Sequence, residues 1–237
     1  MHDKTESMTS SSVDDGAQPQ KRTSSFDASA FIARNLRLLP VPGLENIRLY
    51  TAHSGSRLSR LGGADPEAPA PYWAYGWAGG AVLARHVAEN PHLVHGRRVL
   101  DLGTGSGIVA IIAARAGATS VVAADIDENA IAAARLNATA NDVALDLIHA
   151  DLLDGPPPAV DIVLAGDLFY DEALAKRALA FLEACRAAGI DVLIGDPYRV
   201  PLPTEKLRCI AEYSVPDFGV GSDGGEVRAG VFSLAGF

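Results

Sequence analysis

Cysteine is almost absent: Cys185 and Cys209 are the only two in 237 residues. That is too few for a disulfide framework or a zinc cluster, so no metal is expected and a reducing, cytoplasmic setting is. Long apolar runs are missing as well. One, Gly107 to Ala114, is broken by Arg115, and none reaches the roughly 20 residues that cross a bilayer, so no membrane span is expected. Basic charge is scarce. The net charge is −9, and the first 25 residues hold three basic against four acidic side chains, leaving −8 on the rest. Such a surface repels phosphate backbones; no nucleic-acid partner is expected, and small molecules or basic protein surfaces are favoured. What is present, 48% hydrophobic and 21% charged residues, suffices for one soluble domain with a single core.

Residues 1 to 25 are polar and Ser/Thr-rich, unable to offset the entropy of ordering, and are expected to be a disordered tail. They lack the apolar core of a signal peptide, and their four acids argue against a transit peptide. The single domain is expected over 26–237, with an N-terminal helix-and-loop extension (26–72) before the core (73–237). In the extension Phe31, Ile32 and Leu36 recur at helical spacing from Phe26 to Leu39, and Pro40 ends the pattern. Residues 51–71 are rich in Gly, Pro and Ser and read as a long loop. The core then alternates: helix 74–90, strand 97–101, helix 107–116, strand 120–125, helix 127–141, strands 145–149 and 160–166, helix 171–188 and strand 191–196. That alternation predicts a doubly wound α/β fold. Residues 210–215 and 226–237 flank a Gly-rich turn (219–225) and read as a terminal hairpin. A mostly parallel, Rossmann-like sheet with an antiparallel last strand is characteristic of class I methyltransferases.

Strand residues VLD lead into Asp101-Leu102-Gly103-Thr104-Gly105-Ser106-Gly107 and then into a helix, so the glycines fall where the backbone turns and a ligand can approach. A dinucleotide fingerprint would need glycine at position 108, which is Ile108. The spacing D-x-G-x-G-x-G resembles instead motif I of S-adenosylmethionine (SAM)-dependent methyltransferases, in which the acid accepts from the cofactor's ammonium and the glycines admit its ribose and carboxylate. Asp125 ends the next strand about 20 residues on, where a carboxylate accepts ribose hydroxyls. Asp127 reads as a helix N-cap. In the methyltransferase family the acid after the third strand, here Asp151, takes the adenine amino group. His149 is expected to pack against a neighbouring element and His86 to lie on a helix surface.

The fourth strand delivers Gly166-Asp167-Leu168-Phe169-Tyr170-Asp171 to the carboxyl edge of the sheet, where open α/β folds bind ligands. The Asn/Asp-Pro-Pro-Tyr/Phe motif of base and glutamine methyltransferases is missing there. Asp196-Pro197-Tyr198 is similar to part of it but follows the fifth strand, and reads as a turn in the substrate wall. An acid followed by aromatics suits an aliphatic amine, because a carboxylate orients the nitrogen while ring faces attract its cation. Lysine fits. Supplying its neutral form at pH 7 costs about 4.6 kcal/mol, and Asp167 would favour the ammonium, so Asp167 is expected to bind and orient, with the proton lost to solvent.

Three segments, PYWAYGWAGG (71–80), VLDLGTGSG (99–107) and GDLFYDEALA (166–175), with VLIGDP (192–197), resemble seven-β-strand protein-lysine methyltransferases. The chain is most similar to the family that modifies the β subunit of electron transfer flavoprotein, from about Arg34 through Phe237. The resemblance implies a SAM-dependent protein N-lysine methyltransferase with that flavoprotein subunit as partner; a monomer is expected. It implies Asp167, Phe169 and Tyr170 at the lysine channel, and Asp101, Gly103, Thr104, Gly105, Gly107, Asp125, Ile126, Asp151 and Gly166 at the cofactor. It also implies that Trp77 closes the pocket over the methionine end, with Gly79-Gly80 permitting close approach. Trp73 is expected to staple helix 74–90 to the sheet. A ribosomal-protein or small-molecule methyltransferase is the same-fold alternative, and a non-catalytic binding module is the alternative of another class.

Overall fold

The computed structural model describes residues 1–2, 27–61, 70–217 and 225–235. The expected disordered tail, most of the Gly-rich turn before the last strand, and part of the loop at 51–71 therefore lie outside the described residues. Helix α1 (Ala28–Asn35) is capped by the Asp27 carboxylate, which accepts from the Ala30 N–H. It ends four residues earlier than the apolar spacing predicts. Arg37–Val41 (β1) instead pairs antiparallel with Leu44–Thr51 (β2). Pro40, read as a helix stop, sits inside β1. It is tolerated because Arg48 opposite it makes no ladder bond to it and exchanges its N–H and C=O with the Asn141 side chain.

The main sheet contains β3 (Arg98–Leu102), β4 (Ser120–Asp125), β5 (Asp146–His149), β6 (Ile162–Gly166), β7 (Asp191–Asp196), β8 (Leu207–Pro216) and β9 (Glu226–Leu234). Its order is β5-β4-β3-β6-β7-β9-β8. The first five strands are parallel, β9 runs antiparallel to β7, and β8 antiparallel to β9. The predicted mostly parallel sheet with a terminal antiparallel hairpin is the one observed. Successive strand residues point to opposite faces, and the core divides accordingly. Val99, Ile162 and Leu164 pack with helices α2 (Ala78–Glu89) and α3 (Ile108–Arg115), whereas Leu100, Val163 and Ala165 pack under α5 (Glu172–Ala187). Helix α4 (Glu128–Ala140) crosses beside α1 and β2. Strand β3 lies between β4 and β6, so the chain reverses direction across the sheet there and opens a crevice at the carboxyl ends.

Two expectations fail in this region. Trp73 does not staple α2 to the sheet; it lies in a short 3-10 turn (Tyr72–Ala74), buried with Ile32, Leu36, Ala130 and Ala133 between α1 and α4. His86 is not on a surface. It falls on the buried face of α2 with Val82, Leu83 and Val87, and its Nδ1 lies 2.9 Å from the Tyr213 hydroxyl of β8. Burial holds its pKa below the usual histidine value. Among the described residues no helix is long and apolar enough to cross a membrane.

Candidate active site

The turn after β3 needs three left-handed residues, and glycines supply them: Gly103, Gly105 and Gly107 have φ of +68°, +52° and +84°. They do not share one purpose. A Cβ on Gly105 would meet only the Trp73 Cα, at 3.8 Å, so this glycine faces open space in the crevice. A Cβ on Gly107 would lie 3.1 Å from the Ala134 Cβ. Gly107, expected at the cofactor, is instead turned to α4, where it allows α3 and α4 to pack closely, and it does not line the cavity.

Asp101 is buried beneath this turn. Its Oδ2 accepts from the Thr104 hydroxyl at 2.6 Å and the Ala110 N–H at 3.0 Å. Burial pushes the carboxyl up to about 7, against the pull of those two donors, while nearby Asp125 adds to the rise. At the end of β4, Asp125 accepts from the Gly105 N–H at 2.9 Å and the Asp127 N–H at 3.0 Å. The carboxylate retains acceptor capacity for a further donor. Asp127 caps α4 through the Asn129 N–H, the role predicted for it. Ile126 is exposed on the cavity wall. Asp151 lines the same cavity, accepts from the Leu153 N–H and pairs with Arg177 at 2.8 Å, which draws its pKa down. His149 does not pack as expected. It stands exposed on edge strand β5 with Nε2 3.0 Å from the Ile126 carbonyl.

The β6 side is built differently. Asp167 is left-handed (φ +58°), and its carboxylate turns back under α2. It accepts from the Gly79 and Gly80 N–H groups at the helix start and from Arg199 Nη1 at 2.6 Å. Gly79 and Gly80 thus permit close approach, but of Asp167 and the sheet: a Cβ on Gly79 would lie 2.4 Å from the Gly195 carbonyl. Burial raises the Asp167 pKa, and Arg199 is the largest opposing influence. Phe169, expected at the channel, is wholly buried in the core under α5. The next residue, Tyr170, is half-exposed and lines the cavity. Its ring lies 5.8 Å from that of Tyr72, which in turn lies 5.7 Å from Trp77. The Trp77 indole N–H is anchored on the Tyr72 carbonyl at 2.7 Å.

These groups surround one cavity of about 500 Å³, a size typical of small-molecule sites. Gly103, Gly105, Gly166, Thr104 and Trp77 line it, with Tyr50 and Thr51 of the N-terminal hairpin. Among the described residues the lining includes five aspartates, Asp101, Asp125, Asp127, Asp151 and Asp167, the last with its carboxylate turned to α2, and one arginine, Arg177. Three contributors escaped the sequence reading. Tyr72 adjoins the aromatic segment that was noticed. Asn137 accepts from the Tyr50 N–H and donates to the Ser106 carbonyl, joining hairpin to glycine turn; its signal is a buried amide pair with Asn141 on an Ala-rich helix. Arg199 had no local signal.

Residues 87–169 match the family model of ribosomal protein L11 methyltransferase (PrmA). The electron transfer flavoprotein β-subunit lysine methyltransferase of Danio rerio is 41% identical over 155 residues, 63% of this chain and 60% of that protein. Its Caenorhabditis elegans homologue is 30% identical over 192 residues, 70% of this chain and 79% of the homologue. The chain belongs to the electron transfer flavoprotein β-subunit lysine methyltransferase family. It spans about 60% of the length of the vertebrate members it matches. A crystal structure from Pyrococcus horikoshii described as an RNA methyltransferase shares the fold, with TM-score 0.54 and 15% identity over 71% of this chain and 91% of the other. Within this family's fold the PrmA match covers the glycine turn, Asp125 and the β6 turn, but not the aromatic segment at 72–77.

Proposed function

We propose that this protein is a SAM-dependent protein N-lysine methyltransferase acting on the β subunit of electron transfer flavoprotein. The observation that carries the reading is a single cavity with carboxylates at the glycine turn and an aromatic rim across from them. SAM presents an ammonium, a sulfonium, an adenine amino group and ribose hydroxyls, all cations or donors, beside one carboxylate. A cavity lined, among the described residues, by five aspartates and one arginine suits that set and opposes a dinucleotide's phosphates. Asp101 would receive the ammonium, Asp125 the ribose hydroxyls and Asp151 the adenine amino group, with Gly105 giving the backbone clearance. When bound there, SAM supplies an electrophilic methyl group on sulfur.

The acceptor approaches between Tyr170, Tyr72 and Trp77, whose ring faces attract an ammonium and exclude water. The Asp167 carboxylate already holds three donors, so it does not compete for the lysine proton; solvent takes it, and positioning supplies most of the acceleration. The acidic chain suits a basic docking surface on the partner.

Incubation with methyl-labelled SAM, the purified flavoprotein β subunit and, separately, ribosomal protein L11 tests the reading. Mass spectrometry is expected to find methyl increments on lysines of the flavoprotein subunit. Label on L11 alone, or on small molecules alone, overturns it.

A further inference from the structure

Two turns at the carboxyl edge of the sheet are tied by a side chain that belongs to neither the glycine turn nor the aromatic rim. Arg199 follows β7. Its backbone N–H donates to Asp196 Oδ1 at 2.7 Å, and its guanidinium reaches Asp196 Oδ2 at 3.3 Å and Asp167 Oδ1 at 2.6 Å. Asp196 is completely buried. Asp167 in turn accepts from the N–H groups of the second and third residues of α2, whose N-cap is Trp77, and its own N–H donates to the Gly195 carbonyl. Both turns hold a non-glycine residue in the left-handed region, Asp167 at +58° and Tyr198 at +64°. Each conformation is unfavourable for a non-glycine residue and persists only where surrounding bonds over-determine it.

We propose that Arg199 is a positioning residue: by clamping Asp167 to Asp196 it fixes the β6 turn, the β7 turn and the start of α2 as one unit, and so sets Tyr170 and Trp77 on either side of the acceptor path. The inference rests on the methyltransferase reading for its kinetic consequence, but not for its structural one. Arg199 touches none of the groups assigned to SAM. Its action passes through the ionised Asp167, whose negative charge also suits the N-terminus of α2. Among the described residues the charges acting on Asp167 are Arg199 directly and Asp196 beside it; α2 contributes N–H groups and no acidic residue in its first turn. Without the guanidinium, two buried carboxylates lose their shared cation and keep only backbone N–H donors, which raises the tendency of one to take a proton.

The test uses Arg199→Gln, Arg199→Lys and the double variant Arg199→Gln with Asp196→Asn, the last removing the like-charge conflict should the first fold poorly. In the protein alone, the Gly79 and Gly80 amide resonances are followed by NMR from pH 5 to pH 9. They are expected to titrate in Arg199→Gln, at a midpoint at least one unit above the wild type, and to move back toward the wild type in the double variant. With the flavoprotein subunit as acceptor, Arg199→Gln is expected to lose about tenfold or more in kcat at pH 7. The affinity for SAM should stay within about twofold, and the variant-to-wild-type rate ratio should rise by about fivefold toward pH 9. Arg199→Lys should recover part of the rate. Glycine resonances that titrate as in the wild type, or a rate deficit equal at every pH and matched by lost SAM affinity, overturn the inference. A wild type that methylates no flavoprotein lysine while the glycine resonances behave as stated overturns the functional reading instead.

Discussion

Asp125 at the end of β4 and Asp167 at the end of β6 occupy equivalent places on one sheet edge, yet their surroundings differ in kind. Asp125 is held by two backbone N–H groups of neighbouring turns and keeps its remaining lone pairs toward the cavity. Asp167 is turned away, with Arg199 and the start of α2 consuming its acceptor capacity. The cofactor half of the crevice is thus built from bonds spanning few residues: Asp101 to Thr104 spans three, and Gly105 to Asp125 twenty. The acceptor half is built from bonds spanning 32, 87 and 88 residues. One half presents its carboxylates; the other uses its carboxylate as scaffold for aromatic rings.

Substitutions at the two tyrosine-channel neighbours should divide this comparison most sharply. Phe169→Ala empties a fully buried site and is expected to cost about 3–5 kcal/mol of stability in chemical denaturation. Tyr170→Ala, on the half-exposed rim, should cost under about 1 kcal/mol while impairing transfer. Equal stability losses would place both rings in the core and dissolve the rim. Next in size, Asp125→Ala should weaken SAM binding by about 100-fold in calorimetric titration, with a modest fall in the thermal midpoint of the free protein as the Gly105 and Asp127 N–H groups lose their acceptor. Unchanged binding would remove the cofactor half as described.

The smallest effect concerns Asp101. Its carboxyl is raised from the ordinary 3.8 to about 7 in the folded protein. A raised acid contributes stability that is fully present below about pH 4 and is lost as pH rises through 7. Asp101→Asn escapes that loss. Without SAM, its thermal midpoint is expected to exceed the wild type's at pH 8, by on the order of 1–3 kcal/mol of stability, and to approach it near pH 5. A midpoint difference independent of pH would show that Asp101 is not buried as an acid.

The contrast between the halves also explains what could be read in advance. Strands 120–125 and 191–196 are legible to the residue, because β-branched and small apolar residues closed by an acid mark strands buried on both faces. Asp127 was legible as a cap because capping is local. The helix expected over 26–39 was misread because its second half is held by β2, whose outer edge bonds to Asn137 and Asn141 about 90 residues away. His86 did carry a signal, since it shares the i, i+3, i+4 stripe of Val82, Leu83 and Val87. Phe169 and Tyr170 carried none that could assign one to the core and one to the cavity, because adjacent residues after a strand differ only in which way the turn points them.

Sequence alone determined the alternating α/β order, the glycine turn with its acid at the next strand end, and the aromatic-acid signature of the acceptor side. Each depends on residues within one strand–helix–strand unit, where backbone preference and side-chain reach act directly. Only the tertiary structure decided that Gly107 faces a helix, that Phe169 is core, and that Asp167 is bound by Arg199. Those outcomes depend on which distant elements arrive beside a residue, and on the burial that makes an unpaired charge there too costly to leave.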